Sequence, residues 1–299
     1  MRDNRAIAFG IAAADFDGDD KPDLAVADGE NFAVFGNQWP VFEEFDGSPH
    51  AVVSSATVLA AQVVGDAAID LVVTGVGLLD IWEGDGAGGF TFAKAIAVPA
   101  EHTTGGVAVA SLNCDDVPDL VATFNHLGVS QARRIAGPSF DSFDALDVGA
   151  VGEIYSVGSG RFSDDTWPDL VFPVFTISGG SVSVVPRTVN CQDFDAAQVF
   201  SSGGDGVYSL AIGDIDGDGL DDAAVGESPS ERIVLFYGGS PDGLDDRDLG
   251  DADDSVPLDI DVIAEKIATT DLDHNNRLDI VAVTPTSGDD VFLTVLLGD

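Results

Sequence analysis

Three features of this sequence predict an all-β fold, a β-propeller of six blades with four antiparallel strands each. An aspartate-rich repeat recurs six times, the copies lie about one blade's length of chain apart, and every period has the texture of strands and turns. Seven blades is the alternative arrangement.

The repeat comes first because it decides the rest. Its clearest copies read AAADFDGDDKPDLAVAD from Ala12, LAIGDIDGDGLDDAAVG from Leu210 and IATTDLDHNNRLDIVAV from Ile267, and they superpose without a gap. VASLNCDDVPDLVATF from Val109 keeps the frame with softer side chains, and GSGRFSDDTWPDLVFPV from Gly158 keeps it with fewer acids. AQVVGDAAIDLVVTG from Ala61 reads as a copy whose loop is too short to bind anything.

The closing aspartates are Asp23, Asp70, Asp119, Asp169, Asp222 and Asp279, spaced 47 to 57 residues apart. A four-stranded blade takes roughly 40 to 50 residues, so the chain reads as one domain over 1–299, with repeats centred near 15–24, 62–71, 111–120, 161–170, 214–223 and 271–280.

Within each period, short runs of Val, Ile, Ala and Phe alternate with Gly, Asp, Asn and Ser turns. The fifth unit reads as strands over 208–213, 223–227 and 232–237, with an outer strand beyond Leu249. The aspartate loop joins the first strand to the second. Small residues on the first strand, at 12–14 and 108–111, suit a crowded inner position. Glycine-rich turns follow several third strands, at WEGDGAGGFTF from Trp82, FYGGSPDGL from Phe236 and the terminal LLGD. In up-and-down order these turns share a face with the aspartate loops. The chain stops after a third strand, and residues 5–10 are placed to supply the missing outer strand of the sixth unit.

The loop chemistry is that of a hard cation site. Counted from Asp15, the first loop sets Asp15, Asp17, Asp19 and Asp23 at positions 1, 3, 5 and 9, with the Lys21 carbonyl at position 7. Ca²⁺ takes about six to eight oxygen ligands, which such a loop supplies. Loop five offers Asp214, Asp216, Asp218 and Asp222 with the Leu220 carbonyl, and loop six offers Asp271, Asp273, Asn275 and Asp279 with the Arg277 carbonyl. Position 6 reads Asp20, Gly219 and Asn276, residue types that accept a left-handed turn.

Loop three, with Ser111, Asn113, Asp115 and Asp119, reads as a weaker site. Loop four, with Arg161 and Ser163 at positions 1 and 3, reads as empty, Arg161 substituting its own charge for the ion. About three ions are expected, Ca²⁺ rather than Mg²⁺. An EF-hand needs a Glu at position 12, which here is Val26, Val225 or Ala282. The competing explanation for any single loop is that Asp and Gly populate turns regardless of metal; three copies in register outweigh it.

Composition bounds the partners. Twelve Lys and Arg face 53 Asp and Glu, a formal net charge of −41. Nucleic acid and anionic membranes, which recruit proteins through basic residues, are excluded as expected partners. No apolar run long enough for a membrane-spanning helix occurs, and the first five residues lack the apolar stretch of a signal peptide. For Cys114 and Cys191, two free thiols and a disulfide between neighbouring loops both remain open.

These residues resemble the FG-GAP/VCBS repeat family, the calcium-loop propellers also found in integrin α heads. The motifs at 15–24, 214–223 and 271–280 carry the resemblance, with the GDGAGGF turn at 84–90 similar to the family's second signature. The resemblance implies structural Ca²⁺ on one face, a secreted or cell-surface location, and protein or glycan ligands on loops and blade faces, in a monomer or a part of a longer surface protein. Integrin heads have seven blades where this chain shows six repeats.

The functional expectation is therefore an extracellular calcium-binding scaffold for adhesion or for protein or glycan binding. A propeller-fold carbohydrate-active enzyme, a polysaccharide lyase or hydrolase, is the alternative. No nucleophile and base stand out: His50, His102, His126 and His274 are dispersed, and carboxylate pairs say little in so acidic a chain. Trp39, Trp82 and Trp167 read as packing residues first and glycan platforms second, Trp167 being the one expected at the surface.

Overall fold

The computed structural model describes residues 10–52, 55–99, 101–113, 115, 117–163, 165, 167–176, 178–188, 193–204, 206–228, 232–239, 266–275, 277–285 and 291–298. Among them there is no helix, and each repeat forms one antiparallel sheet whose strands lie in chain order.

Sheet one comprises β1 (Gly10–Ala14), β2 (Asp23–Ala27), β3 (Asn31–Gln38) and β4 (Val41–Glu44), with β5 (His50–Ala51) also paired to β3. Sheet two comprises β6 (Ser55–Ala61), β7 (Asp70–Gly75), β8 (Leu78–Gly84) and β9 (Phe90–Ala95). Sheet three runs β10 (Thr103–Ala110), β11 (Asp119–His126), β12 (Val129–Ile135), β13 (Phe143–Leu146). Sheet four runs β14 (Gly158–Gly160), β15 (Asp169–Thr176), β16 (Gly179–Val185), β17 (Gln198–Ser201).

Sheets five and six show three strands each among the described residues: β18 (Gly206–Gly213), β19 (Asp222–Ser228) and β20 (Ile233–Phe236), then β21 (Lys266–Thr270), β22 (Asp279–Pro285) and β23 (Val291–Leu296). The outer strand expected beyond Leu249 lies outside the described residues. So do residues 5–9 of the expected closing strand; Gly10 opens β1, where it pairs with Ala27.

Register ties the sheets to the repeat. The first two strands end on the pairs Ala14↔Asp23, Ala61↔Asp70, Ala110↔Asp119, Gly160↔Asp169, Gly213↔Asp222 and Thr270↔Asp279. Every closing aspartate therefore starts its second strand at the same place.

Side chains on a strand alternate between faces, so a strand buried on both sides feeds two cores. On β7, Leu71 and Val73 pack with Ala25, Phe32 and Val34 of sheet one, while Val72 packs with Leu120 and Phe124 of sheet three. On β19, Ala223 and Val225 join Val171 and Val182, while Ala224 joins Ile280 and Ala282.

The chain clusters into two compact units. One comprises Met1–Ser111, Asp115–His126 and Arg134–Asp144, and the other Leu112–Cys114, Leu127–Arg133 and Ala145–Asp299. Within the second unit the small first-strand residues have a visible cause: a Cβ on Gly158 would lie 2.2 Å from Ile212 Cδ1, and one on Gly213 would lie 2.3 Å from Leu278 Cδ1. Gly158 on β14 faces the first strand of the next sheet and Gly213 on β18 faces loop six, each too closely for a side chain.

Candidate metal centres

The loops owe their shape to their own aspartates. In loop one, Asp15 Oδ1 accepts the Gly18 and Asp19 N–H groups at 2.7 and 3.1 Å, and its Oδ2 accepts that of Asp20 at 2.8 Å. Asp17 Oδ1 accepts from Asp19 N–H and Asp19 Oδ1 from Lys21 N–H, at 3.2 and 3.0 Å. Loop five repeats the scheme: Asp214 takes Gly217 and Gly219, Asp216 takes Asp218, and Asp218 takes Leu220. In loop six, Asp271 and Asp273 both accept from Asn275 N–H at 3.1 Å, and the Asn275 side-chain oxygen accepts from Arg277 N–H at 2.7 Å.

Two positions take left-handed backbone. Position 6 does so at Asp20 (φ 62°) and Gly219 (φ 92°), as its residue types predict; Asn276 lies outside the described residues. Position 4, which sequence reasoning passed over, does so at Gly18 (φ 79°), Gly65 (φ 81°), Gly217 (φ 82°) and His274 (φ 62°). The recurrence of glycine there was the available signal, and it makes His274 a turn residue.

This curl gathers the acids. Carboxylate oxygens of Asp15, Asp17 and Asp19 lie within 4.8 Å of one another, as do those of Asp214, Asp216 and Asp218, and those of Asp271, Asp273 and Asp279. The donor sets, all hard oxygen, suit a cation of the Ca²⁺ type. In loop one a cation already reaches the cluster: Lys21 Nζ lies 2.5 Å from Asp19 Oδ2. That ammonium lowers the pKa of Asp19, while partial burial and the Asp23 and Asp19 charges raise that of Asp17.

The closing aspartates have a second occupation. Asp23 is buried, with Oδ2 accepting from Phe16 N–H at 2.9 Å and Oδ1 from Asn37 N–H at 2.8 Å. Asp222 likewise takes Ile215 and Asp216 on one oxygen and Gly238 on the other, and Asp279 takes Leu272 and Gly298. One oxygen ties the loop; the other ties the end of the third strand. Burial raises Asp222 to about 6 against the pull of these bonds, whereas the Gly298 and Leu272 N–H groups hold Asp279 below the usual range.

The bond to the end of the third strand recurs in the loops without acids at positions 1 and 3, and Asp70 keeps both halves of the staple. Asp70 accepts from Val63 and Val64 and, through Oδ1, from Gly84; Asp119 accepts from Gly137; Asp169 accepts from Arg187. Loop two is thus not short, contrary to expectation. Its nine-residue frame from Gln62 to Asp70 is intact, Asp66 accepts from Ala68 N–H at 2.9 Å, and Gln62 Nε2 donates to the Ala67 carbonyl at 2.9 Å. It has lost ligands rather than length. Loop three keeps Asp115, which accepts from Val117 N–H, alongside Ser111, Asn113 and the buried Asp119. Cys114 and Cys191, and any disulfide between them, lie outside the described residues.

Loop four departs from expectation in another way. Arg161 does not fill its own loop; its guanidinium donates to the Gly219 carbonyl of loop five, while its backbone N–H donates to Asp221 Oδ2 at 2.7 Å and its carbonyl accepts from Asp221 N–H at 2.8 Å.

The tryptophans also sort differently. Trp167 lies under the Arg187 guanidinium, 5.0 Å from its centroid, and Trp82 packs edge-on to the buried Phe32. Trp39, on the turn from β3 to β4, is 80% exposed. Asn37, two residues earlier, donates its side chain to the Pro22 carbonyl at 3.0 Å, so Trp39 emerges at the aspartate-loop end of sheet one.

No family model and no curated protein sequence matches the chain. Among solved structures it is similar to BBS1N, crystallised in complex with ARL6DN and soaked with lead, at a TM-score of 0.63 and 12% identity over 95% of this chain and 78% of that one. The fold is a β-propeller. At this identity the likeness speaks for architecture alone, and it agrees with the six in-order antiparallel blades.

Proposed function

We propose that this propeller is a calcium-braced extracellular scaffold of the FG-GAP/VCBS type that presents its loops and blade faces to a protein or glycan. The observation that carries the reading is the convergence of three carboxylates within 4.8 Å in each of loops one, five and six. Asp15, Asp17, Asp19 and Asp23 with the Lys21 carbonyl hold the first ion. Asp214, Asp216, Asp218 and Asp222 with the Leu220 carbonyl hold the second, and Asp271, Asp273, Asn275 and Asp279 with the Arg277 carbonyl the third.

The ion supplies positive charge and crosslinks backbone to side chain; the chain itself supplies a turn already curled by Asp15, Asp214 and Asp271. Such a turn loses little entropy on binding. Millimolar calcium, as outside cells, suits sites of modest affinity. The BBS1N propeller, crystallised with ARL6DN, supports a scaffold that engages protein, and exposed Trp39 supports a glycan-stacking role near loop one.

Calcium titration of chelator-treated protein, read by calorimetry and by thermal melting, tests the metal reading. About three ions should bind, and the midpoint should rise with free calcium by mass action. An unchanged midpoint at millimolar calcium discards it. A glycan array with and without EDTA tests the ligand class.

A further inference from the structure

We infer a second binding surface, at the start of β12 and the end of β15 remote from Asp169, that receives an arginine- or lysine-bearing apolar segment of a protein partner. This goes beyond the function proposed above; it rests on the scaffold half of that reading and not on the ions.

A short aromatic stack ends at the surface. Phe175 lies 5.1 Å from Tyr208 centroid to centroid, and Tyr208 stacks on Tyr155 at 5.5 Å with planes 24° apart. Tyr208 is thus engaged by both neighbours, whereas Tyr155 at the end of the stack is 39% exposed. The stack is built rather than incidental: a Cβ on Gly206 would lie 1.8 Å from Phe175 Cδ2, so this glycine admits the ring.

A carboxylate sits beside it. The Tyr155 hydroxyl donates to Glu153 Oε2, and among the described residues no lysine, arginine or histidine pairs with Glu153. Aromatic faces attract cations, and a carboxylate at their edge adds charge.

Exposed apolar side chains lie on this pair's chain segment and on the one that bonds to it. Val151 is 77% exposed, Leu127 is 89% exposed, and Val129 is also exposed. Backbone bonds fix them as one surface: Ser130 N–H donates to the Gly152 carbonyl at 2.9 Å, Ile154 N–H donates to Ser130 Oγ at 2.7 Å, and Glu153 and Phe175 exchange two bonds at 2.9 and 2.8 Å. An exposed apolar group around an aromatic anchor marks an interaction site.

Charge chooses the occupant. A second copy would bring another 53 carboxylates to a chain of net charge −41, whereas a cationic segment satisfies both Glu153 and the general field. Its arginine or lysine lies over Tyr155 with its charge toward Glu153, and its apolar residues cover Val151 and Leu127.

The probe is a fluorescein-labelled peptide alternating arginine with leucine and valine, compared with its glutamate-for-arginine counterpart, by anisotropy in EDTA and in calcium. The arginine peptide should bind and the glutamate peptide should not. Tyr155→Ala and Glu153→Gln should each weaken binding at least about fivefold, with Val41→Ala, exposed on β4, unchanged. Leu127→Ser, at a fully solvated position, serves if Tyr155→Ala melts early. No binding of the arginine peptide, equal binding by the Tyr155 and Leu127 variants, or a dimer abolished by Val151→Asp overturns the proposal. Peptide binding that persists without any calcium response counts against the metal reading alone.

Discussion

The Asp169 carboxylate accepts the Arg187 N–H at 2.8 Å across the fourth blade, in a repeat whose loop carries Arg161 and Ser163 where others carry acids. The closing aspartate is therefore a fastener of blade geometry whether or not its loop holds an ion.

Asp169→Ala leaves a buried N–H without its acceptor, at a cost of roughly 2 kcal/mol. Urea unfolding should give the same loss in EDTA and in calcium. A loss that calcium reverses contradicts the fastener role at this blade.

Burial pushes Asp169 up to about 6, opposed by the Arg187 N–H and by Phe162 and Ser163. The unfolded value is about 3.9, so the native state binds more protons between the two. This group's contribution is full at acid pH and declines as pH rises from about 4 to about 6. The stability gap between wild type and Asp169→Asn should widen in favour of wild type by on the order of 1–2 kcal/mol on acidification from pH 7 to pH 4.5. A gap independent of pH indicates an ordinary carboxyl.

Glu227 is fully buried and accepts Nε and Nη2 of Arg232 at 2.8 and 2.6 Å, while Arg232 keeps 23% side-chain exposure. Removing the solvated partner strands the buried one. Arg232→Ala should therefore cost more than Glu227→Ala, about 3 kcal/mol or above, and the double variant should recover part of it. Chemical denaturation of the three proteins measures the coupling.

Asp216→Asn removes an exposed acid from loop five without touching the Asp222 staple. Calorimetric stoichiometry should fall by one calcium, with stability in EDTA unchanged within about 0.5 kcal/mol. Unchanged stoichiometry removes Asp216 from the ligand set.

The sheets were legible because the frame is local: nine residues from position 1 to the closing aspartate set the first hairpin in all six blades, and alternation on β7 and β19 set the two-sided cores. The three carboxylate clusters were legible for the same reason. What escaped depends on longer reach or on substitution. Arg161 crosses to Gly219, 58 residues away, and no spacing announces where a flexible guanidinium lands. Gln62 replaces an acid with an amide that satisfies the loop directly, so a retained turn read as a lost one. Trp39 sits outside the repeat's signature, on a turn whose exposure no periodicity encodes.

The grip of Asp70, Asp119 and Asp169 on the end of the third strand bears on how far the repeats can diverge. Hairpin geometry does not hang on acids at positions 1 and 3, where loops two to four carry Gln62 and Val64, Ser111 and Asn113, and Arg161 and Ser163, while position 5 keeps Asp66, Asp115 and Asp165. Under the proposed calcium reading, ion sites can therefore be lost one repeat at a time while the architecture that carries them stays constant.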